Sequence, residues 1–173
     1  MDYYNSLFFG LPAYQLNKLQ RVQNAAARLV YCESKYCHIS PLLRCLHWLP
    51  VKYRIDFKIL LITFKAIHGQ APLYIQDLIT VKQCSRYSLR SNDGVLLAHP
   101  NCKSLSTLGD RSFYIAAPTL WNSLPCEVRN SSSLSSFKTS IKTILYRRTF
   151  FLGLYDTIYN LVYFISVLLS LFL

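Results

Sequence analysis

Prolines divide this chain before any other feature does. Pro12 and Pro72 each stand immediately ahead of a stretch with helical periodicity, and Pro41 falls in the first turn of another. Pro50 separates two such stretches, and Pro118 and Pro125 bracket a short apolar run. Proline fixes φ near −65° and has no N–H, so it suits a helix start and opposes a helix interior. A set of short and medium helices with proline-marked joints is the expectation, and 173 residues with 52% apolar side chains are enough to bury a core.

The first helix is expected over Ala13 to Tyr31. At 100° per residue Leu16, Leu19, Val22, Ala26, Leu29 and Val30 share one arc, and Asn17, Lys18, Arg21, Asn24 and Arg28 share the opposite one. Ser40-Pro41 reads as the cap and first turn of a short helix from Leu42 to Leu49. A third helix runs from Val51 to His68, stopped by Gly69, with Ile55, Phe57, Ile59, Leu60, Ile62, Phe64 and Ile67 pointing several ways as in a central element. Pro72 opens a fourth, to about Ile79.

From Val81 onward the period changes. Tyr87–Ser91 alternates, Asn92-Asp93-Gly94 reads as a turn, and Gly94–Ala98 reads as a second strand, so a small β-hairpin is expected, with Arg111–Ile115 a third strand candidate. Ala116–Leu124 reads as a short helix or turn. After the serines at 131–133, Phe137, Ile141, Ile144 and Leu145 mark an amphipathic helix to about Arg148, with Lys138, Lys142 and Arg147 outside. The class expected is α+β and mainly helical: a helical region over 1–80, a small α+β region over 81–149, and a hydrophobic tail over 150–173.

Charge follows the same division. Residues 1–149 hold all 19 Lys and Arg and seven of the eight acids, while residues 150–173 hold Asp156 alone. Thr157 to Leu173 has no charge, and Arg147-Arg148 lies just upstream, which suits the cytosolic flank of a membrane segment. A buried helix, or sequence translated past a disrupted reading frame, fits the tail as well. The N-terminal residues do not form a signal peptide, so reduced thiols are expected for the six cysteines. Cys32, Cys37, His38, Cys45 and His47 are nominally enough to hold zinc, but they lack the close pair of ligands from which zinc knuckles are built.

Several enzyme classes are unsupported. The closest two of the five glycines are fifteen positions apart, so neither a P-loop nor a dinucleotide fingerprint is present. No two acids lie closer than sixteen positions, and two-metal phosphoryl chemistry needs carboxylates gathered around its ions. No cofactor, bound metal, catalytic residue or small-molecule substrate is expected.

What recurs is basic helix faces. Lys18, Arg21 and Arg28 lie on the first helix, and Arg54, Lys58 and Lys65 fall within roughly 40° on the third. Both sets suit contacts to an RNA or DNA phosphate backbone, which give affinity without reading sequence; a solvated face is the plainer alternative. Trp48 and Trp121 suit either base stacking or a core, and the core is the commoner fate of such residues.

Ordered blocks then carry a family resemblance. Asp2-Tyr3-Tyr4-Asn5-Ser6-Leu7, Gly10-Leu11-Pro12, the run from Lys18 to Arg28, Leu46-His47-Trp48-Leu49-Pro50-Val51, Arg54-Ile55-Asp56-Phe57-Lys58 and Phe64-Lys65-Ala66 come first. Ala71-Pro72-Leu73-Tyr74-Ile75, Leu89-Arg90-Ser91, Gly109-Asp110-Arg111, the run from Ala116 to Pro125 and Ser136-Phe137-Lys138 follow. Over about residues 2–148 the chain resembles the thumb and post-polymerase region of LINE-type (non-LTR) retrotransposon reverse transcriptases, most of all the Jockey-like group. The resemblance implies a catalytically inactive fragment of an RNA-directed DNA polymerase, since the family's paired aspartates have no counterpart here. It also implies a thumb-like helical region that helps hold template RNA and target DNA. Cys32, Cys37 and the apolar tail depart from the family pattern. A different expectation, a small tail-anchored membrane protein with a basic cytosolic body, follows from the tail; the chain would otherwise be cytoplasmic or nuclear.

Overall fold

The computed structural model describes residues 5–82, 95–99 and 112–150. A 3-10 turn at Asn5–Phe8 precedes α1 (Ala13–Val30), α2 (Ile39–Cys45), α3 (Val51–Ile67), α4 (Leu73–Gln76), α5 (Phe113–Asn122), α6 (Cys126–Arg129) and α7 (Leu134–Phe150). The protein is mainly helical, and α3 is its hub, touching α1, α4, α5, α7 and the 3-10 turn.

The largest core cluster sits between α3, α5 and α7. Phe64 stacks on Phe137 with ring centroids 4.2 Å apart, and Phe137 meets Trp121 at 5.5 Å. Leu60, Ile141 and Leu145 belong to the same cluster, as do Leu49, Leu97, Leu124 and Val128. Phe64 faces Phe137 while Lys58 lines a cleft with Lys142, so α7 runs antiparallel to α3. Val51, Ile55 and Ile59 pack on Ala116 and Ala117 of α5, and Leu16 and Leu19 of α1 lie against that group. Residues before 80 and after 112 therefore share one core.

Expected helix positions are met for α1, α3 and α7 to within a few residues, but the buried face of α1 is turned. Gln23 and Ala27 are its buried residues, whereas Val22, Leu29 and Val30 are exposed. Hydrogen bonding explains the rotation. Gln23 Nε2 donates to Leu49 O (2.8 Å), and Gln20 Oε1 accepts the Val51 N–H (2.9 Å). Gln20 Nε2 donates in turn to Gln23 Oε1 and Asn24 Oδ1. Two glutamines of α1 thus satisfy backbone groups on either side of Pro50, where a proline joint leaves the start of α3 uncapped. Polar side chains occupy the contact stripe because the surface they meet is polar backbone.

α2 begins at Ile39, three residues before the expected Leu42, and ends at Cys45 instead of Leu49. Its end explains the difference. Trp48 N–H bonds Leu43 O (2.9 Å) and His47 N–H bonds Arg44 O (3.1 Å), with His47 at φ +52°, a left-handed termination. α1 ends the same way at Cys32 (φ +52°), and α3 at Gly69 (φ +67°). Only the last of these carries the glycine that announces such a stop.

The strand expectations fare differently. Tyr87–Ser91 and the Asn92–Gly94 turn lie outside the described residues. Among the described residues the β structure is one antiparallel bridge, Val81 to Leu97, flanked by Lys82 N to Leu96 O and Ala98 N to Thr80 O (both 2.8 Å). On the other side of Leu97, Asn122 Oδ1 accepts its N–H (3.0 Å) and Nδ2 donates to its carbonyl (2.9 Å). A helix side chain thus takes the place of a neighbouring strand. Of the strand expected at Arg111–Ile115, Arg111 lies outside the described residues and Phe113–Ile115 instead begin α5, whose Phe113, Ala116, Ala117 and Leu120 face α3 at helical spacing. Pro118 lies buried inside α5 rather than bounding it, and α6 arises after Pro125 where no helix was expected.

The glutamine joint gives a direct test. Gln23→Leu adds apolar surface at a buried position but strands the Leu49 carbonyl, so it is expected to destabilise the fold by about 1–3 kcal/mol in urea unfolding.

Candidate functional site

Much of α3 is buried, and one stripe of it holds the half-buried Arg54 and Lys58 and the exposed Lys65. Next to that stripe the structure opens a cleft of about 500 Å3. Its floor is α3, through Arg54, Phe57, Lys58 and Leu61; one end is the α2–α3 joint, through His47, Trp48 and Leu49; Lys142 enters from α7. The volume falls in the ~300–1,000 Å3 range of small-molecule sites.

Each wall has a local cause. The left-handed turn at His47 reverses the chain so that Trp48 packs against the Ala27, Leu42 and Leu43 cluster and also borders the cleft. The His47 ring stacks on Tyr146 of α7 (centroids 5.8 Å, 17° between planes), and its Nδ1 donates to Cys45 O (3.2 Å). Tyr146 in turn donates its hydroxyl to Arg44 O (2.9 Å), tying α7 to the end of α2. Lys142 lies one helical turn before Tyr146, which places it on the same side of the cleft.

Three cations and no carboxylate line this space. The adjacent acid, Asp56, is two residues from Arg54 and so about 200° away around α3. There burial pushes its carboxyl up from 3.8 to about 6, against the pull of Lys52 and Arg148. The cleft is a cationic, aromatic-walled concavity, suited to a group that joins negative charge to a flat apolar ring.

The sequence-based candidates are distributed unevenly. Arg54 and Lys58 are brought together in the cleft; Lys65 is exposed farther along the same helix face. Lys18 and Arg21 are exposed on α1 and do not line the cleft. Arg28 is half-buried and turned to structural use: its guanidinium donates to Cys37 O (3.1 Å) across the α1–α2 connection. Trp121 is fully buried in the main core, donating Nε1–H to Val95 O (2.8 Å). The residues that sequence reasoning did not assign to a site are Lys142, Phe57 and His47. Lys142 belongs to a helix far away in sequence, and only its place on the polar face of α7 marked it.

Cys32, Cys37, Cys45 and Cys126 are free thiols, and among the described residues no group of three metal-ligating side chains converges. Among those residues, too, no helix is long and apolar enough to cross a membrane; residues 151–173 lie outside them. No protein-family model, curated protein or solved structure matches this chain.

Asp56 supplies a pH test of the packing opposite the cleft. Its carboxyl is raised when folded, so the fold binds more protons than the unfolded chain, and stability falls as pH rises from about 4 through about 6. Asp56→Asn is expected to raise stability at pH 7 by roughly 1–2 kcal/mol, discounted for residual solvent contact, and to change little at pH 4. Thermal melts at the two pH values check it.

Proposed function

We propose that this protein is a catalytically inert C-terminal piece of a non-LTR retrotransposon reverse transcriptase, and that its activity is sequence-independent binding of an RNA or DNA backbone. The observation that carries the reading is the cleft where Arg54, Lys58 and Lys142 meet with no carboxylate among the lining residues. The ordered sequence blocks supply the family; the cations supply the chemistry. Lysine and arginine that neutralise phosphates release condensed counterions, so binding of this kind is strong at low salt and falls steeply as salt rises. Lys65 lengthens the stripe on α3, and Lys18 and Arg21 offer a second set on α1. The thumb-like role of these helices belongs to the same proposal.

A salt titration of the full chain with an RNA–DNA hybrid tests it. Binding is expected at low ionic strength, with log K linear in log salt. Lys58→Ala and Lys142→Ala should each lower the slope by about one. No binding at low ionic strength would overturn the reading, and nucleotide incorporation by the purified chain would overturn the inert part of it.

The uncharged run from Thr157 to Leu173 favours a second reading, a tail-anchored membrane protein whose basic body faces anionic lipid. On this reading the expressed chain resists alkaline carbonate extraction, and loses that resistance when residues 150–173 are removed. Extraction of both forms excludes it.

A further inference from the structure

The cleft holds more than a backbone-binding surface needs. Phosphate contacts require only cations on an exposed face, as Lys18, Arg21 and Lys65 already provide. Here the cations line a concavity together with Trp48, Phe57 and Leu61. Trp48 is braced from behind by the α1–α2 cluster, so its ring is held in place before anything binds. A braced aromatic beside fixed positive charge is how single-stranded nucleic acids are gripped: the base stacks, and the adjoining phosphates meet lysine or arginine. A paired base in the interior of a duplex cannot reach such a wall, because its faces are covered by its neighbours.

The geometry points to this cleft as a pocket for one unpaired nucleotide of a nucleic-acid strand, its base against Trp48 and Phe57 and its phosphates toward Arg54, Lys58 and Lys142. Spacing favours a strand over a free nucleotide. Arg54 and Lys58 are about 6 Å apart along α3, and Lys65 continues the row about 10 Å farther on. One mononucleotide occupies only the beginning of that row; successive phosphates of a strand follow it out of the cleft. The pocket deepens the proposed backbone binding and rests on it.

The test compares the full chain on three DNA duplexes: blunt, with a short single-stranded adenine overhang, and with the same overhang made abasic. Trp121 is fully buried, so fluorescence quenching by added DNA reports Trp48. The adenine overhang is expected to bind about tenfold tighter than the blunt duplex and to quench; the abasic one should do neither. Trp48→Phe should keep most of that advantage and Trp48→Leu should lose it. The abasic arm on the unmodified protein stands even if the leucine variant misfolds. Equal affinity for all three duplexes, with a normal salt slope, would overturn the base pocket and leave backbone binding intact. Adenosine monophosphate competing as well as the overhang would overturn the strand. Binding to none of them at low salt would overturn both proposals.

Discussion

The packing of other elements around α3 organises everything else in this protein. Helices α1, α5 and α7 and the N-terminal turn each cover part of it, and Phe64, Ile55 and Ile59 are almost fully removed from water. A helix so enclosed keeps its cations where its neighbours leave it accessible, Lys52 on the side of Asp56 and the others along one strip, since a buried, unpaired ammonium or guanidinium is very costly. Arg54, Lys58 and Lys65 occupy that strip. The cationic stripe lies where the cover over α3 is incomplete, and the cleft lies where α7 and the α2–α3 joint rise beside it.

The joint itself depends on α1. A proline between two helices interrupts the hydrogen-bond ladder and leaves backbone groups on both sides in need of partners. Gln20 and Gln23 provide them, and by doing so fix where Leu49 and Trp48 point. The same helix could have offered Val22 and Leu29 to the core; it leaves them in water. Satisfying buried backbone outweighs burying two more aliphatic side chains, because an orphaned buried carbonyl or amide loses water it cannot replace. The wall of the cleft thus depends on a polar contact between residues about 26 positions apart.

Much of the helical framework was legible. Pro12, Pro50 and Gly69 mark the limits of α1 and α3 by mechanisms that are local, and the many-sided apolar pattern of α3 identified it as central. The end of α2 was not legible, because His47 adopts the left-handed conformation without being glycine. The strand reading failed over Phe113–Ile115 because a short apolar run satisfies period two and period 3.6 alike, and the choice fell to packing against α3. Of the site, Arg54 and Lys58 were visible through their spacing on one helix. Lys142 was not, since nothing local says that α7 returns along α3.

What the sequence by itself determined is therefore the basic body, the proline-jointed helices and the clustering of Arg54, Lys58 and Lys65 on one face, all of which follow from composition and the 100° repeat. Tertiary structure alone decided which tryptophan enters the core and which borders the cleft, which face of α1 is buried, and that a lysine from the last helix joins two cations from the third. These outcomes depend on contacts between residues far apart in the chain, whose energies are set only when the helices are in place.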